Sequence, residues 1–273
     1  MKNGWQIDFN DANWPEVKAG PLVNMAAEIG DRIVLPIDIK PGFCVASQKG
    51  FRFPVAYWLR TSFLAQTVPS GCVLAMDQDS LQGQWQLFLN GTELKPHAFR
   101  KCFHYDRSNI AAPVSGIMRR GRNTVAIRIV ADEESHGLVD PLYIFGKFGV
   151  AAADGKISRL VPIVPRAPFN DLAKAGLPFY AGPASYTTRL RLARIAKATP
   201  HILRLNTERQ PFYDIAELIV NGQSLGVRCF SPYEWMLNNP GLLQDENTIK
   251  IRVTNSLGRL IDGYEQKRRE RIP

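Results

Sequence analysis

The chain has 273 residues, 34 of them basic and 25 acidic, for a net charge of +9. At roughly 100–200 residues per domain this is one large domain or two medium ones, and the 45% hydrophobic and 22% charged residues are those of a folded chain rather than a disordered one. No apolar run approaches the ~18–20 residues of a membrane helix, so a membrane is not expected as a partner.

Residues 1–20 carry Lys2, Asp8, Asp11, Glu16 and Lys18 around no apolar stretch. That is not the pattern of a secretory signal, so a cytoplasmic protein or a fragment of a secreted one is expected. The positive charge is scattered. Its densest runs are Arg119, Arg120 and Arg122, and Lys267, Arg268, Arg269 and Arg271. Without zinc-finger spacing, an RNP-like strand or a basic helix, nucleic acid is not an expected partner. Cysteines 44, 72, 102 and 229 form no CxxC pair, so metal-ligand spacing is missing.

In chain order, a first opening segment, GWQIDFNDANWPEV (4–17), reads as a strand and a tryptophan-bearing turn. Strands are expected over 33–39 and 142–145, and short helices over 170–175 and 234–237. Between these lies an internal repeat. YWLRTSFLA (57–65) answers YTTRLRLAR (186–194), and CVLAMD (72–77) answers HILRLN (201–206). QLFLNGTEL (86–94) answers ELIVNGQSL (217–225), and NTVAIRIVAD (123–132) answers NTIKIRVTNS (247–256). The offsets are 129, 129, 131 and 124 residues. Four blocks in the same order at nearly constant offset imply two domains of one topology, here 1–152 and 153–273. A linker is expected near 151–156, where AAADGK is small and turn-prone. Pro162, Pro165, Pro168 and Pro178 follow, and proline fixes φ and removes a ladder donor.

Each block reads as a strand. The two Asn-Gly pairs, Asn90-Gly91 and Asn221-Gly222, read as type I′ hairpins, because both residue types tolerate positive φ. Many short strands separated by turns point to an all-β fold of β-sandwiches.

The second half then resembles the galactose-binding-domain-like, sugar-binding jelly roll of glycoside hydrolase family 2 and related large glycosidases. The residues are Tyr186, ILRLN (202–206), DIAELIVNGQSLG (214–226), Tyr233 and DENTIKIRVTNS (245–256). The first half resembles the same module more loosely, through the opening segment, YWLRTSF, QWQLFLNGTEL and RRGRNTVAIRIV. It departs in having Leu94-Lys95-Pro96 where the pattern has Leu-Gly. The resemblance implies two tandem jelly rolls. It also implies an accessory role, because catalysis in such enzymes lies in a separate barrel for which this chain has no room.

Three functions follow as alternatives: carbohydrate recognition, a structural module packed against a glycosidase catalytic domain, or a glycoside hydrolase in its own right. A hydrolase needs two carboxyls at about 5–5.5 Å or about 6.5–9.5 Å. Asp77, Asp79, Glu133, Glu134, Asp140, Glu208, Asp214 and Glu217 are candidates that the sequence cannot pair. No GxSxG elbow, phosphate loop or HExxH is present. His104, beside Tyr105 and Asp106, reads either as lining a polar site or, with more weight, as a surface-loop histidine.

Carbohydrate recognition needs an aromatic face and planar polar groups. Two loops at equivalent places in the repeat offer them: 77–85, with Asp77, Asp79 and Trp85, and 206–214, with Glu208, Arg209, Tyr213 and Asp214. Tyr233 and Trp235 form a further candidate. Trp5, Trp14 and Trp58, on or beside strands, read as structural. No cofactor is required. A structural calcium is the ion such folds carry, and Asp77 and Asp79 are spaced like two of its ligands.

Overall fold

The computed structural model describes residues 3–28, 52–153, 156–169, 171–191, 201–205 and 212–255. The chain is an all-β protein. It packs as two compact units, one of Met1–Gly149 with Ser158–Pro162, the other of Val150–Ile157 with Ile163–Pro273. Among the described residues no helix is long and apolar enough to cross a membrane.

In the first unit, a helix of about two turns, α1 (Leu22–Glu28), precedes the strands. These are β1 (Val55–Ala65), β2 (Val73–Asp77), β3 (Gln84–Leu89), β4 (Thr92–Leu94), β5 (Arg100–Lys101), β6 (Asn109–Pro113), β7 (Gly121–Ala131) and β8 (Tyr143–Phe145); of the next two strands, β9 (Gly149–Ala153) falls in the second unit after its first residue, and β10 (Lys156–Val161) belongs to the first from Ser158 on. One sheet runs β4-β3-β7-β1-β10, the other β5-β6-β2-β8. The long strand β7 is the spine. It pairs antiparallel with β1 over eleven residues, from Val55↔Ala131 to Ala65↔Gly121, and with β3 on its other edge. Its alternate residues Val125, Ile127 and Ile129 are buried, Val125 and Ile127 opposite the buried Leu89 and Leu87 of β3, and Leu74 and Met76 of β2 are buried as well, all under 9% exposed. Full burial of each such side chain contributes about 1.5–3 kcal/mol.

The second unit holds β11 (Pro183–Arg191), β12 (His201–Arg204), β13 (Ile215–Val220), β14 (Gln223–Arg228), β15 (Glu234–Leu237) and β16 (Glu246–Thr254). Its larger sheet runs β14-β13-β16-β11, the strand order of β4-β3-β7-β1, and β12 pairs with β15 as β2 pairs with β6. The core gathers Phe212, Ala216, Leu218, Val220, Tyr233, Trp235 and Val253.

Both hairpins turn as the Asn-Gly pairs require. Asn90 and Asn221 sit at φ 50° and 49°, and Gly91 and Gly222 at 80° and 87°, the positive values of a type I′ turn. Each turn is then locked from the side. Asn90 Oδ1 accepts from the Thr124 amide at 2.9 Å, and its Nδ2 donates to Asn123 Oδ1 at 2.8 Å. Asn221 does the same with Thr248 at 2.8 Å and Asn247 at 2.9 Å. Asn123 and Asn247 have no exposed surface. Their remaining donors reach the Arg119 and Gly121 carbonyls in the first unit, and those of Gln244 and Leu190 in the second.

Three expectations are corrected. The segment 234–237 is not helical but strand β15. Trp235 and Leu237 point inward while Met236 is 57% exposed, and this period-2 alternation pairs in register with β12. The region 151–156 is not a free linker, since β9 and β10 run into it from either side. Residues 4–17 form turns rather than a strand. They are held by Arg60, whose guanidinium donates to Asp11 at 2.8 Å, to the Gln6 carbonyl at 2.9 Å and to the Gly4 carbonyl. A segment whose carbonyls are taken by a side chain needs no ladder partner. The strand over 142–145 is present as β8, the helix over 170–175 is a 3-10 turn at Leu172–Ala175, and 33–39 lies outside the described residues.

Asn123→Ala and Asn247→Ala should each lower the unfolding free energy by about 2 kcal/mol or more, since each strands several buried partners. Thr92→Ala, on the exposed hairpin, should change it by less than about 0.5 kcal/mol. Urea unfolding followed by tryptophan fluorescence measures both.

Candidate functional site

The site is built on the second sheet of the first unit. Residues opposite one another in antiparallel register share a face. Val73, Ala75 and Asp77 of β2 therefore share one with Asn109 and Ala111 of β6 and with Phe145 and Tyr143 of β8. The other face of β2, Leu74 and Met76, is core. The small side chains of Ala75 and Ala111 leave room for aromatic rings on the outer face.

Two segments supply those rings. The first is 137–145. The bridge Leu81↔Leu138 and the bonds from Gln82 N to Gly137 O and from Val139 N to Ser80 O stitch it along the loop after β2. The chain is thereby returned as β8 on the free edge of β2. The second is the 102–108 loop, tied by one side chain. Asn109, fully buried, accepts with its Oδ1 from the backbone amides of His104, Tyr105 and Asp106 at 3.2, 2.9 and 3.0 Å. Its Nδ2 donates to Asp77 Oδ1 at 2.6 Å. Asp106 in turn accepts from the Ser108 amide at 2.8 Å, and those Ser108 bonds hold its carboxyl below the usual range.

The result is a layered aromatic group. His104 stacks on Phe145 at 4.3 Å and 7°, and Tyr105 meets Tyr143 edge-on at 5.0 Å. Tyr105 and Tyr143 remain 43% and 41% exposed. The Tyr105 hydroxyl lies within reach of the Asp77 charge. Desolvation first, then the charge and hydrogen bond of Asp77 and the charges of Tyr143 and Asp140, push its pKa up to about 12. Rigid aromatic faces beside a fixed carboxylate can take the apolar face of a ring-shaped ligand and accept its hydroxyl hydrogens.

The predicted site residues are dispersed. Asp77 lies in this group, and Asp79 is exposed on the following turn. The 77–85 loop is not an open polar loop, because Ser80 and Leu81 are buried against 137–139. Trp85 stands half-buried on β3 with its ring edge-on to Phe99 at 6.3 Å.

In the second unit Tyr213 is 71% exposed, and the carbonyl of Asp214 accepts from the Tyr233 hydroxyl at 2.9 Å. Tyr233 and Trp235 are corrected from platform to core. They are 2% and 1% exposed, and Trp235 donates its indole N–H to the Gly226 carbonyl at 2.8 Å. Their period-2 placement with Leu237 aims them inward, so neither offers a face to a ligand. Glu208 and Arg209 lie outside the described residues.

The tryptophans read as structural each touch another ring, and Trp5 is also 37% exposed. Trp5 stacks on Phe88 at 6.1 Å, Trp58 tilts against the same ring at 5.8 Å, and Trp14 packs on Phe9. The sequence reading named the 104–106 stretch as a possible polar site but missed Tyr143 and Phe145. The available signal was Tyr143-x-Phe145, an aromatic alternation on a short strand after a proline. Among the described residues no three His, Cys, Asp or Glu side chains are grouped to hold a metal ion. Asp77 is already engaged by Asn109 Nδ2.

No family model matches the sequence, and no curated protein matches it. Solved structures similar to it include a glycosyl hydrolase family 2 member from Bacteroides cellulosilyticus DSM 14838, at 14% identity and TM-score 0.34, over 94% of this chain and 30% of that one. A beta-glycosidase from Bacteroides vulgatus matches at 10% identity and TM-score 0.34, over 94% and 27%. A calcium-binding mutant of Bacteroides uniformis beta-glucuronidase 2 matches at 11% and 0.30, over 92% and 25%. The chain thus spans under a third of the length of these three chains. At such scores the likeness carries no argument about this chain.

Two measurements check the site and the corrected core. Tyr105 should titrate by ultraviolet absorbance near pH 12, and Asp77→Asn should bring it down. Because the folded value is raised, this group's contribution to stability is whole below pH ~10 and is lost as pH climbs through the folded value. Trp235→Ala should destabilise by about 3–5 kcal/mol, against less than about 0.5 kcal/mol for Tyr213→Ala, both read by urea unfolding.

Proposed function

We propose that the chain is a non-catalytic accessory region of a glycoside hydrolase system, built of two tandem galactose-binding-domain-like jelly rolls, and that its first unit recognises carbohydrate. The observation that carries the reading is the exposed Tyr105–Tyr143 pair set against the Asp77 carboxylate on a rigid sheet. Sugar recognition uses both elements together: ring faces for C–H surfaces and a planar acceptor for hydroxyls. The shared strand order of the two larger sheets supports a tandem repeat.

Catalysis by this chain has less support. A general acid of a glycosidase is a carboxyl whose pKa is raised. Among the described residues the Asp11 and Asp106 carboxyls are held below the usual range, through Arg60 and Ser108 respectively. Glu217 and Glu234 are ion-paired with Arg252 at 3.0 Å and with Arg204 at 2.5 Å.

A structural role has its own observation in the second unit. The cross-strand partners Ile202 and Met236 are 58% and 57% exposed. Val227 and Phe230, which line one shallow hollow with Pro232, are 50% and 77% exposed. Apolar surface gathered in this way marks contact faces, and a glycosidase catalytic domain is the partner this reading supplies.

The intact chain should bind at least one soluble oligosaccharide with a Kd of about millimolar or tighter, corresponding to about 4 kcal/mol or more. It should release no reducing sugar from the same compound. Calorimetry and a reducing-end assay on one sample test both halves. Hydrolysis would overturn the accessory reading, and the lack of any binding across a neutral, amino and acidic panel would overturn recognition.

A further inference from the structure

We infer that Trp5 heads a second carbohydrate subsite, on the outer face of the larger sheet of the first unit, where a pyranose ring lies on its indole. This rests on the reading of the first unit as a carbohydrate-recognising module, but it shares no residue with the Tyr105–Tyr143 platform.

The larger sheet has two faces. Leu87, Leu89, Val125 and Ile127 are turned to the core. The residues that alternate with them and pair across the strands, Trp58, Arg60, Phe88 and Ala126, therefore lie on the other face. The 4–14 segment covers that face. Gly4 lies directly on Trp58, where a Cβ would stand 2.6 Å from the ring. The Gly4 and Gln6 carbonyls both accept from the Arg60 guanidinium. Trp5, between them, is laid on Phe88 with ring centroids 6.1 Å apart and planes 24° from parallel. Phe88 is buried and is braced in turn by Trp58 at 5.8 Å. The indole is thus fixed from beneath, yet 37% of it stays exposed, against 1% for the core Trp235.

Trp5 borders a hollow of about 490 Å³ between the 5–8 turn and the β3–β4 hairpin tip. That lies within the range of about 300–1,000 Å³ of small-molecule sites. The tip closes against the turn, since a Cβ at Gly91 would stand 3.7 Å from Ile7 and 3.8 Å from Trp5. Gln6, Asp8 and Thr92 also line the hollow. Asp8 and Thr92 are exposed and Gln6 is half-buried.

These groups suit one kind of ligand. An indole face takes the C–H surface of a sugar ring. The Asp8 carboxylate accepts hydroxyl hydrogens, while the Gln6 amide and the Thr92 hydroxyl can each donate or accept. The walls are set before a ligand arrives, one by Arg60 and the other by the locked Asn90 turn. Walls already ordered keep the entropy cost of binding low.

The experiment uses the full chain labelled with fluorotryptophan, in which the Trp5 fluorine resonance is the one lost in Trp5→Phe. The probes are tetrasaccharides of galactose, glucosamine and galacturonate units. At least one should move the Trp5 resonance saturably, with a Kd of about millimolar or tighter. Asp8→Ala and Gln6→Ala should each weaken that binding by about fivefold, with the urea midpoint in place. In a Tyr143→Ala chain, calorimetry should still detect the ligand, and adding Trp5→Ala should weaken it at least about tenfold. A Trp5 resonance that no tetrasaccharide moves, while calorimetry shows the unaltered chain binding one of them, would overturn the inference and leave recognition by the chain standing. So would a shift whose midpoint neither Asp8→Ala nor Gln6→Ala changes. Neither heat nor shift with any of the three would overturn both.

Discussion

Each unit depends on one buried asparagine pair. Asn90 with Asn123, and Asn221 with Asn247, join the tip of a hairpin to the beginning of the strand that runs through the middle of the larger sheet. The pairing answers a backbone problem. A type I′ turn requires positive φ at a residue with a side chain, and asparagine is among the few that accept it. The same side chain then supplies a donor and an acceptor to a strand start whose amides and carbonyls would otherwise be buried without partners. Because β7 and β16 each carry neighbours on both edges, fixing where they start fixes the register of three strands at once.

A third buried asparagine does for the candidate site what these pairs do for the sheets. Asn109 sits at the start of β6 and gathers the 104–106 amides on its oxygen and Asp77 on its nitrogen. A loop pinned at three successive amides loses little further entropy when a ligand docks, which favours even weak binding. The same three bonds take up the successive backbone amides, so one side chain sets the shape of the loop beside the rings.

The two units use similar sheets to different ends. In the first, β8 covers an edge of β2 and brings Tyr143 and Phe145 over Ala75 and Val73. In the second, the described residues of the two-stranded sheet carry Ile202 and Met236 on the corresponding outer side, open to solvent. Arg60 buries its guanidinium under the 4–14 segment, whereas Arg189, which aligns with it in the matched sequence blocks, is exposed. Sequence blocks that match along the chain thus end in surfaces of different chemistry, because the covering segments lie between the blocks and are not repeated.

From the sequence alone came the all-β class, the four matched blocks and the two Asn-Gly turns, all of which depend on period-2 alternation and on residues with unusual φ preferences, and these are local properties. The aromatic platform was not legible, because Asp77, Asn109, Tyr105 and Tyr143 are brought together only by the ladders of β2 with β6 and β8. Trp235 carried no sign of its burial for a related reason. Its four-residue strand alternates too briefly to be told from a helical turn, and only pairing with β12 decides which face is inward. Local backbone preference set the strands and turns, while long-range register decided which side chains meet, and so where this protein could hold a ligand.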